Sequence, residues 1–447
     1  YQNNDIAQTI APQIIFGSMG AKGKLPVSID DEFKVNEGIE TLEIKRLGFS
    51  IPENVGMNSK VLTKIDSIAN YAISKKMTPG IQVVVARKGK VIYQKSFGNH
   101  TYESSQKVSN SDVYDIASLT KIVATLPNVM QEFDQGHLTL ETKLKTMLPE
   151  AKNSNKANAT VLDMLTHQAR FQPWIPFYKA TLDSLNRPST HFYRSEFSDE
   201  FPVHVADKLY LRKNYNDTIV KTILDSELLP KKQYKYSDFT FILFKEYLEL
   251  HNKKSLEDLA HANFFEPLGA NSIMYNPLRK MNANRIIPTE NDNYFRHQIV
   301  QGYVHDMAAA MQGGISGHAG LFANALDVAK VMQMFLQKGS YGGRTYISES
   351  TFNIFNTCYF CKDGNRRGVG FDKPQLGNEG PTCGCVSLTS FGHTGFTGTM
   401  TWADPEKEIV YVFLSNRTFP DSNATNKLSK ENIRENIQKV IYEAIIE

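Results

Sequence analysis

Several features are scarce or missing in this chain, and each absence narrows what it can be. No apolar run approaches the roughly 20 residues that span a bilayer as a helix. Charge is nearly balanced, at +3 over 447 residues. With no basic stripe or arginine-rich run, there is no electrostatic case for nucleic acid. The chain opens Tyr1-Gln2-Asn3 without methionine or the charged-then-apolar layout of a signal peptide, which fits a mature form or an excised piece. Cysteines number four, confined to Cys358-Tyr-Phe-Cys361 and Cys383-Gly-Cys385. Two disulfides, free thiols in a loop, or a zinc site all fit, although a C-x-C pair and a wide gap depart from usual zinc spacing. Hydrophobic residues are not scarce: 41% apolar and 11% aromatic content supplies a sizeable core and excludes a disordered chain.

The pattern changes along the chain. In residues 1–45, Ile14-Ile15-Phe16-Gly17 is a short apolar run, Gly20 to Ile29 offers turn glycines and a proline-marked strand, and the charges after Asp30 read as a linker. So little chain cannot build a core of its own and must pack on something else. From Val61 to Lys75, apolar residues at helical spacing (Leu62, Ile65, Ile68, Ala69, Ala72) predict an amphipathic helix. Gly80 to Gly98 reads as a β-hairpin turned at Arg87-Lys-Gly-Lys90, and Gly398 to Ala403 with Glu408 to Ser415 as a second strand pair. A last helix is expected from about Lys430 to Ile446. Strand-forming ends around a mostly helical middle, roughly 123–337, predict one antiparallel sheet built from both ends plus a helical insertion.

Asp115-Ile-Ala-Ser-Leu-Thr-Lys121 reads as the start of an apolar helix. A spacing of three puts the Ser118 hydroxyl and the Lys121 amine on one helix face, within mutual reach. Serine is a weak nucleophile until something takes its proton. A lysine does so when burial or nearby cations keep it neutral. Alone, S-x-x-K is an ordinary helix start; Ser104 and Lys107 match it too, in a polar stretch read as a loop. Tyr236-Ser-Asp238 adds a phenol and a carboxylate ahead of another apolar helix. His393-Thr394-Gly395 is expected to open an edge strand running to Trp402, where glycines let backbone approach a ligand and leave an N–H for an oxyanion.

The order S-x-x-K, Y-S-D, H-T-G resembles the serine β-lactamases and penicillin-binding proteins, the class C branch above all, over about residues 46–447. Leu162-Asp-Met-Leu-Thr-His167 and Gly313 to Phe322 resemble further stretches of that family. The resemblance implies an α/β (α+β) fold with a central antiparallel sheet flanked by helices, and no cofactor or metal. It implies Ser118 as the acylated nucleophile, Lys121 and Tyr236 as proton-transfer groups, and the N–H groups of Ser118 and Phe396 as the oxyanion hole. His393, Thr394, Gly395, Asp238 and His318 fall to substrate binding. Asp238 stands where the family pattern has asparagine, and its charge would repel carboxylates or hold Lys121 protonated. His393 stands where β-lactamases have lysine and is largely neutral at pH 7. Both departures point to a peptidase, amidase or esterase rather than an efficient β-lactamase. His167 reads as a packing residue, and His305-Asp306 as structural for want of further ligands at metal spacing.

Gln13 to Ile29 resembles the closing segment of family 3 glycoside hydrolases, as in β-N-acetylglucosaminidase fusions of Bacteroidetes. That implies residues 1–45 as the end of a glycosidase domain and linker, residues 46–447 as the hydrolase domain, and a periplasmic, envelope or secreted location. The expected substrate is a small peptide, amide or ester, such as a peptidoglycan-derived peptide. A non-catalytic accessory domain binding muropeptide or a partner is the competing expectation, with a β-lactamase proper as a third.

Overall fold

The β-branched runs pair as strands, as their composition and the turn between them predict. In the computed structural model, which describes residues 3–377, 380–424 and 426–446, six strands form the central sheet. These are β1 (Gly48–Phe49), β2 (Gly80–Arg87), β3 (Lys90–Gly98), β4 (Phe391–Thr394), β5 (Met400–Asp404) and β6 (Ile409–Ser415), in the order β1-β3-β2-β6-β5-β4. Lys88 and Gly89 both take positive φ, as a tight two-residue hairpin between β2 and β3 requires. The two ends of the chain join where β2 pairs antiparallel with β6, from Ile81 opposite Ser415 to Arg87 opposite Ile409. The expected all-antiparallel sheet is corrected at one edge: β1 pairs parallel with β3, so the sheet is mixed.

The main helices are α1 (Asp5–Ile15), α2 (Lys64–Ser74), α3 (Leu126–Asp134), α4 (Tyr215–Asp225), α5 (Phe239–Asn252), α6 (Ala325–Leu336) and α7 (Ile433–Glu443). Strand residues alternate between two cores. Val84, Ala86, Val410, Val412 and Leu414 join Val328 and Met332 of α6 in the larger one. Val83, Val85, Tyr411 and Phe413 meet Ile65 and Ala69 of α2 and Ile437 and Ile441 of α7 in the other. Helices cover both faces of the sheet, which is why β2 and β6 read as unbroken apolar runs.

The middle of the chain is less purely helical than its pattern predicts. It holds α3, α4 and α5, and also a three-stranded sheet of Tyr193–Arg194, Leu209–Leu211 and Val203–Ala206. Strands of two to four residues are too short to display a period. The first segment also departs from expectation. Ile14 and Ile15 lie in α1, capped where Asn4 accepts the Ala7 N–H, and the strand expected over 20–29 does not form. As anticipated, this segment packs on the rest. The Phe49 N–H donates to Gln13 Oε1 at 2.8 Å, and Lys90 reaches the Ser18 carbonyl and Glu43. The cysteines pair as Cys358–Cys361 and Cys383–Cys385 disulfides, so the four thiols do not form one metal cluster.

Candidate active site

Asp115 builds the turn that presents Ser118. One of its carboxylate oxygens accepts the Ala117 N–H at 2.8 Å and the other the His305 N–H at 2.6 Å. Ala117 is held at φ +48, a region costly for a residue with a Cβ. Ser118 follows, and Lys121 enters a π-helical turn over Lys121–Thr125 that runs into α3. Pro127, with no N–H to offer the Val123 carbonyl, favours this irregular hydrogen bonding.

Lys121 is fully buried. Its Nζ donates to Ser118 Oγ at 2.8 Å and to the His318 carbonyl at 3.1 Å, and pairs with Asp238 Oδ1 at 2.7 Å. Three partners match the three N–H groups of an ammonium. Burial alone would lower the Lys121 pKa, but Asp238 and Tyr236 outweigh it and raise it above the ordinary lysine value. The resting amine is therefore charged, not the neutral amine that proton abstraction needs. This is the consequence foreseen for aspartate at position 238.

The structure also places Tyr236 against the nucleophile, its hydroxyl donating to Ser118 Oγ at 3.2 Å. Burial pushes the phenol pKa up, while Lys121 and Arg367 pull it down. His167 does the packing work expected of it. Its ring lies 4.6 Å from that of Tyr236, and its Nδ1 accepts the Ser237 N–H at 3.2 Å. Asp238 immediately precedes α5, at the junction expected from the sequence, and turns its carboxylate to Lys121 instead of capping the helix.

One expectation is overturned here. His393 and Thr394 close β4 instead of opening a strand, and the chain turns through Gly395–Gly398 before β5. The two glycines force the turn. Gly398 has φ +94, and a Cβ on Gly395 would lie 2.1 Å from Thr399 Oγ1 and 2.8 Å from the Ile116 carbonyl. Thr397 and Thr399 donate to the Asp115 and Ile116 carbonyls, tying the Phe396 turn to the Ser118 turn. The β4 strand is a sheet edge, as expected.

His393 is buried, its Nδ1 2.6 Å from the Thr394 carbonyl and its Nε2 without a partner among the described residues. Burial, then the charges of Arg367 and Lys121, hold it well below the usual histidine range, so it stays neutral. The His318 side chain contacts Asp306 Oδ1 at 2.8 Å and Ser316 Oγ at 2.9 Å. Burial opposes ionisation of Asp306, but His318 holds its carboxyl well below the ordinary value. His305-Asp306 has no further ligand at metal spacing in the sequence, but in space Asp238, Asp306 and His318 converge within 4.8 Å. Their engagements with Lys121 and with each other account for that convergence. His305 borders the cleft, its ring 5.4 Å from that of Phe396 and its Nε2 3.0 Å from Glu290.

Arg366 and Arg367 went unnoticed in the sequence. Arg367 is buried with its guanidinium 5.2 Å from the Tyr236 ring centre, and both arginines pair with Asp372. With Arg417 and Arg434 they bring positive charge to a cleft in which His393 is neutral. A cleft of about 940 Å³ opens over the site, lined by Ser118, Trp174, Tyr236, Arg367, Thr394 and Phe396 among others.

Asp238→Asn is expected to move the acid limb of the kcat/KM profile to lower pH. Only uncharged Lys121 accepts a proton, so activity falls as pH drops through its pKa. Removing the Asp238 charge removes the strongest cause raising that pKa. Rates measured across pH for both proteins check this; an unmoved limb would show that the titration belongs elsewhere.

Comparison with known proteins agrees with this geometry. A family profile described as Beta-lactamase matches residues 69–432. An Escherichia coli K12 protein named "Putative D-alanyl-D-alanine carboxypeptidase" is 26% identical over 396 residues, covering 82% of this chain and 85% of the relative. An N-acetylmuramyl-L-alanine amidase of Bacillus subtilis strain 168 is 28% identical over 395 residues, covering 82% and 83%. Among solved structures, EstCE1, a hydrolase with promiscuous acyltransferase activity, superimposes with TM-score 0.63 at 16% identity, over 86% of this chain and 99% of its own. A penicillin-binding protein homologue from Caulobacter crescentus does so at 0.57 and 15%, over 81% and 93%. At these identities the structural matches speak for the fold.

Proposed function

This chain belongs to the beta-lactamase family of serine hydrolases, and we propose from that premise that Ser118 is its acylated nucleophile in cleavage of peptidoglycan-derived peptides or related amides and esters. The observation that carries the reading is the pair of hydrogen bonds on Ser118 Oγ, from Lys121 at 2.8 Å and Tyr236 at 3.2 Å. Once Lys121 has released a proton to solvent, Ser118 Oγ attacks the substrate carbonyl as its own proton passes into the Lys121–Tyr236 pair. The N–H groups of Ser118 and Phe396 receive the oxyanion. Tyr236 returns a proton to the leaving amine or alkoxide, and water completes the cycle by the same route. His393, Thr394, Gly395, Asp238 and His318 bound the substrate.

The names of the two relatives support peptidase or amidase chemistry on cell-wall peptides. So does the charge layout: with His393 neutral, positive charge at the cleft comes from Arg366, Arg367, Arg417 and Arg434, suiting a peptide with a free carboxylate. The class C likeness, an envelope or secreted location, and residues 1–45 as the end of a family 3 glycosidase joined to this domain belong to the same reading. Its motivation is the motif order and the Gln13 to Ile29 segment.

Fluorescent penicillin and a fluorophosphonate, followed by intact-mass and peptide analysis, test it. One adduct on the Ser118 peptide is expected, together with release of D-alanine from a peptide ending in D-alanyl-D-alanine. Steady turnover of a chromogenic cephalosporin without peptide cleavage would mark a β-lactamase instead. The accessory-domain reading is favoured by one observation, the charged Lys121 clamped by Asp238. Folded protein that neither probe acylates would decide for it.

A further inference from the structure

Away from the cleft, at the far end of α3, three ligand-type atoms converge. Glu132 Oε2 lies 2.9 Å from His137 Nδ1 and 3.4 Å from His251 Nε2, and the two ring nitrogens are 3.3 Å apart. A tetrahedral ion with bonds of about 2.0–2.1 Å sets its ligands about 3.3 Å apart, so this triangle already has the edge lengths of one face of such a site. We infer that Glu132, His137 and His251 form a binding site for a zinc-type divalent transition metal.

The surroundings fit that occupant. The Glu132 carboxylate is buried, and its other oxygen accepts from Asn252 Nδ2 at 2.9 Å, which fixes its orientation as outer-shell partners do. Tyr247 donates to the metal-facing oxygen at 3.4 Å and stacks on His251. Both histidines face solvent, at 42% and 39% side-chain exposure, leaving room for water as a fourth ligand. Two imidazoles and one carboxylate suit zinc, cobalt or nickel rather than magnesium or calcium, which demand oxygen-rich shells. No sequence spacing reveals the set, because His137 and His251 are 114 positions apart.

Position gives the site its significance. Glu132 lies near the end of the helical run that begins beside Ser118 and Lys121, roughly 17 Å along it at 1.5 Å per residue. His251 lies near the end of α5, which starts just after Asp238, roughly 20 Å away by the same measure. A bound ion clasps the distal ends of the two helices whose near ends meet in the Lys121–Asp238 contact. The ion takes no part in acyl transfer, and the inference stands whatever the substrate proves to be.

The test is Zn2+ titration of the full chain after chelation and desalting, with Co2+ absorption as a report of tetrahedral geometry. Wild type is expected to bind one Zn2+ at this site and to gain melting temperature. His137→Ala and His251→Ala should each weaken binding by more than about 100-fold, and Asn252→Ala by roughly 10-fold. Asp238→Asn, which alters the other convergent cluster, should leave this binding intact. Both histidines are exposed, so their variants should fold, as circular dichroism without metal will verify. Absence of Zn2+ binding by wild type, or unchanged binding by the His137→Ala/His251→Ala double variant, overturns the inference.

Discussion

Ser118→Ala is expected to cut acyl-transfer turnover by roughly 10⁶-fold in kcat, the scale seen when a nucleophile is removed from a preorganised site. The remainder, some 10³- to 10⁴-fold over water, would come from the oxyanion donors and from binding. The fold should hardly register the change. Ser118 Oγ receives hydrogen bonds from Lys121 and Tyr236, and Lys121 keeps the His318 carbonyl and Asp238 when it is gone. A cost of about 1 kcal/mol is expected. Steady-state kinetics on whichever acyl donor labels wild type, run beside thermal unfolding, would separate the two effects. Turnover within tenfold of wild type would remove Ser118 from the chemistry.

Lys121→Met is expected to slow acylation of Ser118 by about 10²- to 10⁴-fold, the usual worth of a positioned proton-transfer group. Unlike the serine change, it should also destabilise the protein. Methionine fills the stem's volume but leaves the buried His318 carbonyl and the Asp238 carboxylate without their cation. Removing one partner of a buried pair costs about 3–5 kcal/mol, and the lower end applies because Asp238 retains a path to water. Stopped-flow labelling with a fluorophosphonate gives the rate and a denaturant midpoint gives the stability. The double variant Lys121→Met/Asp238→Asn should recover part of the lost stability and none of the rate. Full acylation by Lys121→Met would leave Tyr236 as the sole proton acceptor.

What the sequence discloses of this molecule follows from how far each signal reaches along the chain. The β2–β3 hairpin is legible because its two β-branched runs and the turn between them lie within 19 residues, at Gly80 to Gly98. Ser118, Tyr236 and His393 are legible because they sit in short patterns at junctions where backbone geometry and chemistry coincide. The exact end of β4 is not, since the same glycines that suggested a strand start in fact make the turn that ends one. Arg367 carries no local mark, and Asp306 only that of its neighbour His305. Their roles come from burial against Tyr236 and His318, brought together by packing between distant segments. The charge on Lys121 lies between these cases. Its spacing from Ser118 announces an interaction, but the sign of its pKa shift is fixed by a carboxylate 2.7 Å away and 117 positions later.

The seam between β2 and β6 bears on the order in which the protein is made. Thr78 and Asn416, beside that seam, are joined by a side-chain contact spanning 338 positions. During synthesis the β2–β3 hairpin, complete at Gly98, must wait until Ile409–Ser415 has been made before its open flank is covered. Contacts of such separation close slowly, because the entropy of the intervening loop is lost before any pairing rewards it. Meanwhile Val83, Val85 and the unpaired edge of β2 stand exposed to other nascent chains. Yield in a cell should therefore respond to chaperone supply and to growth temperature more steeply than the finished fold's stability would indicate.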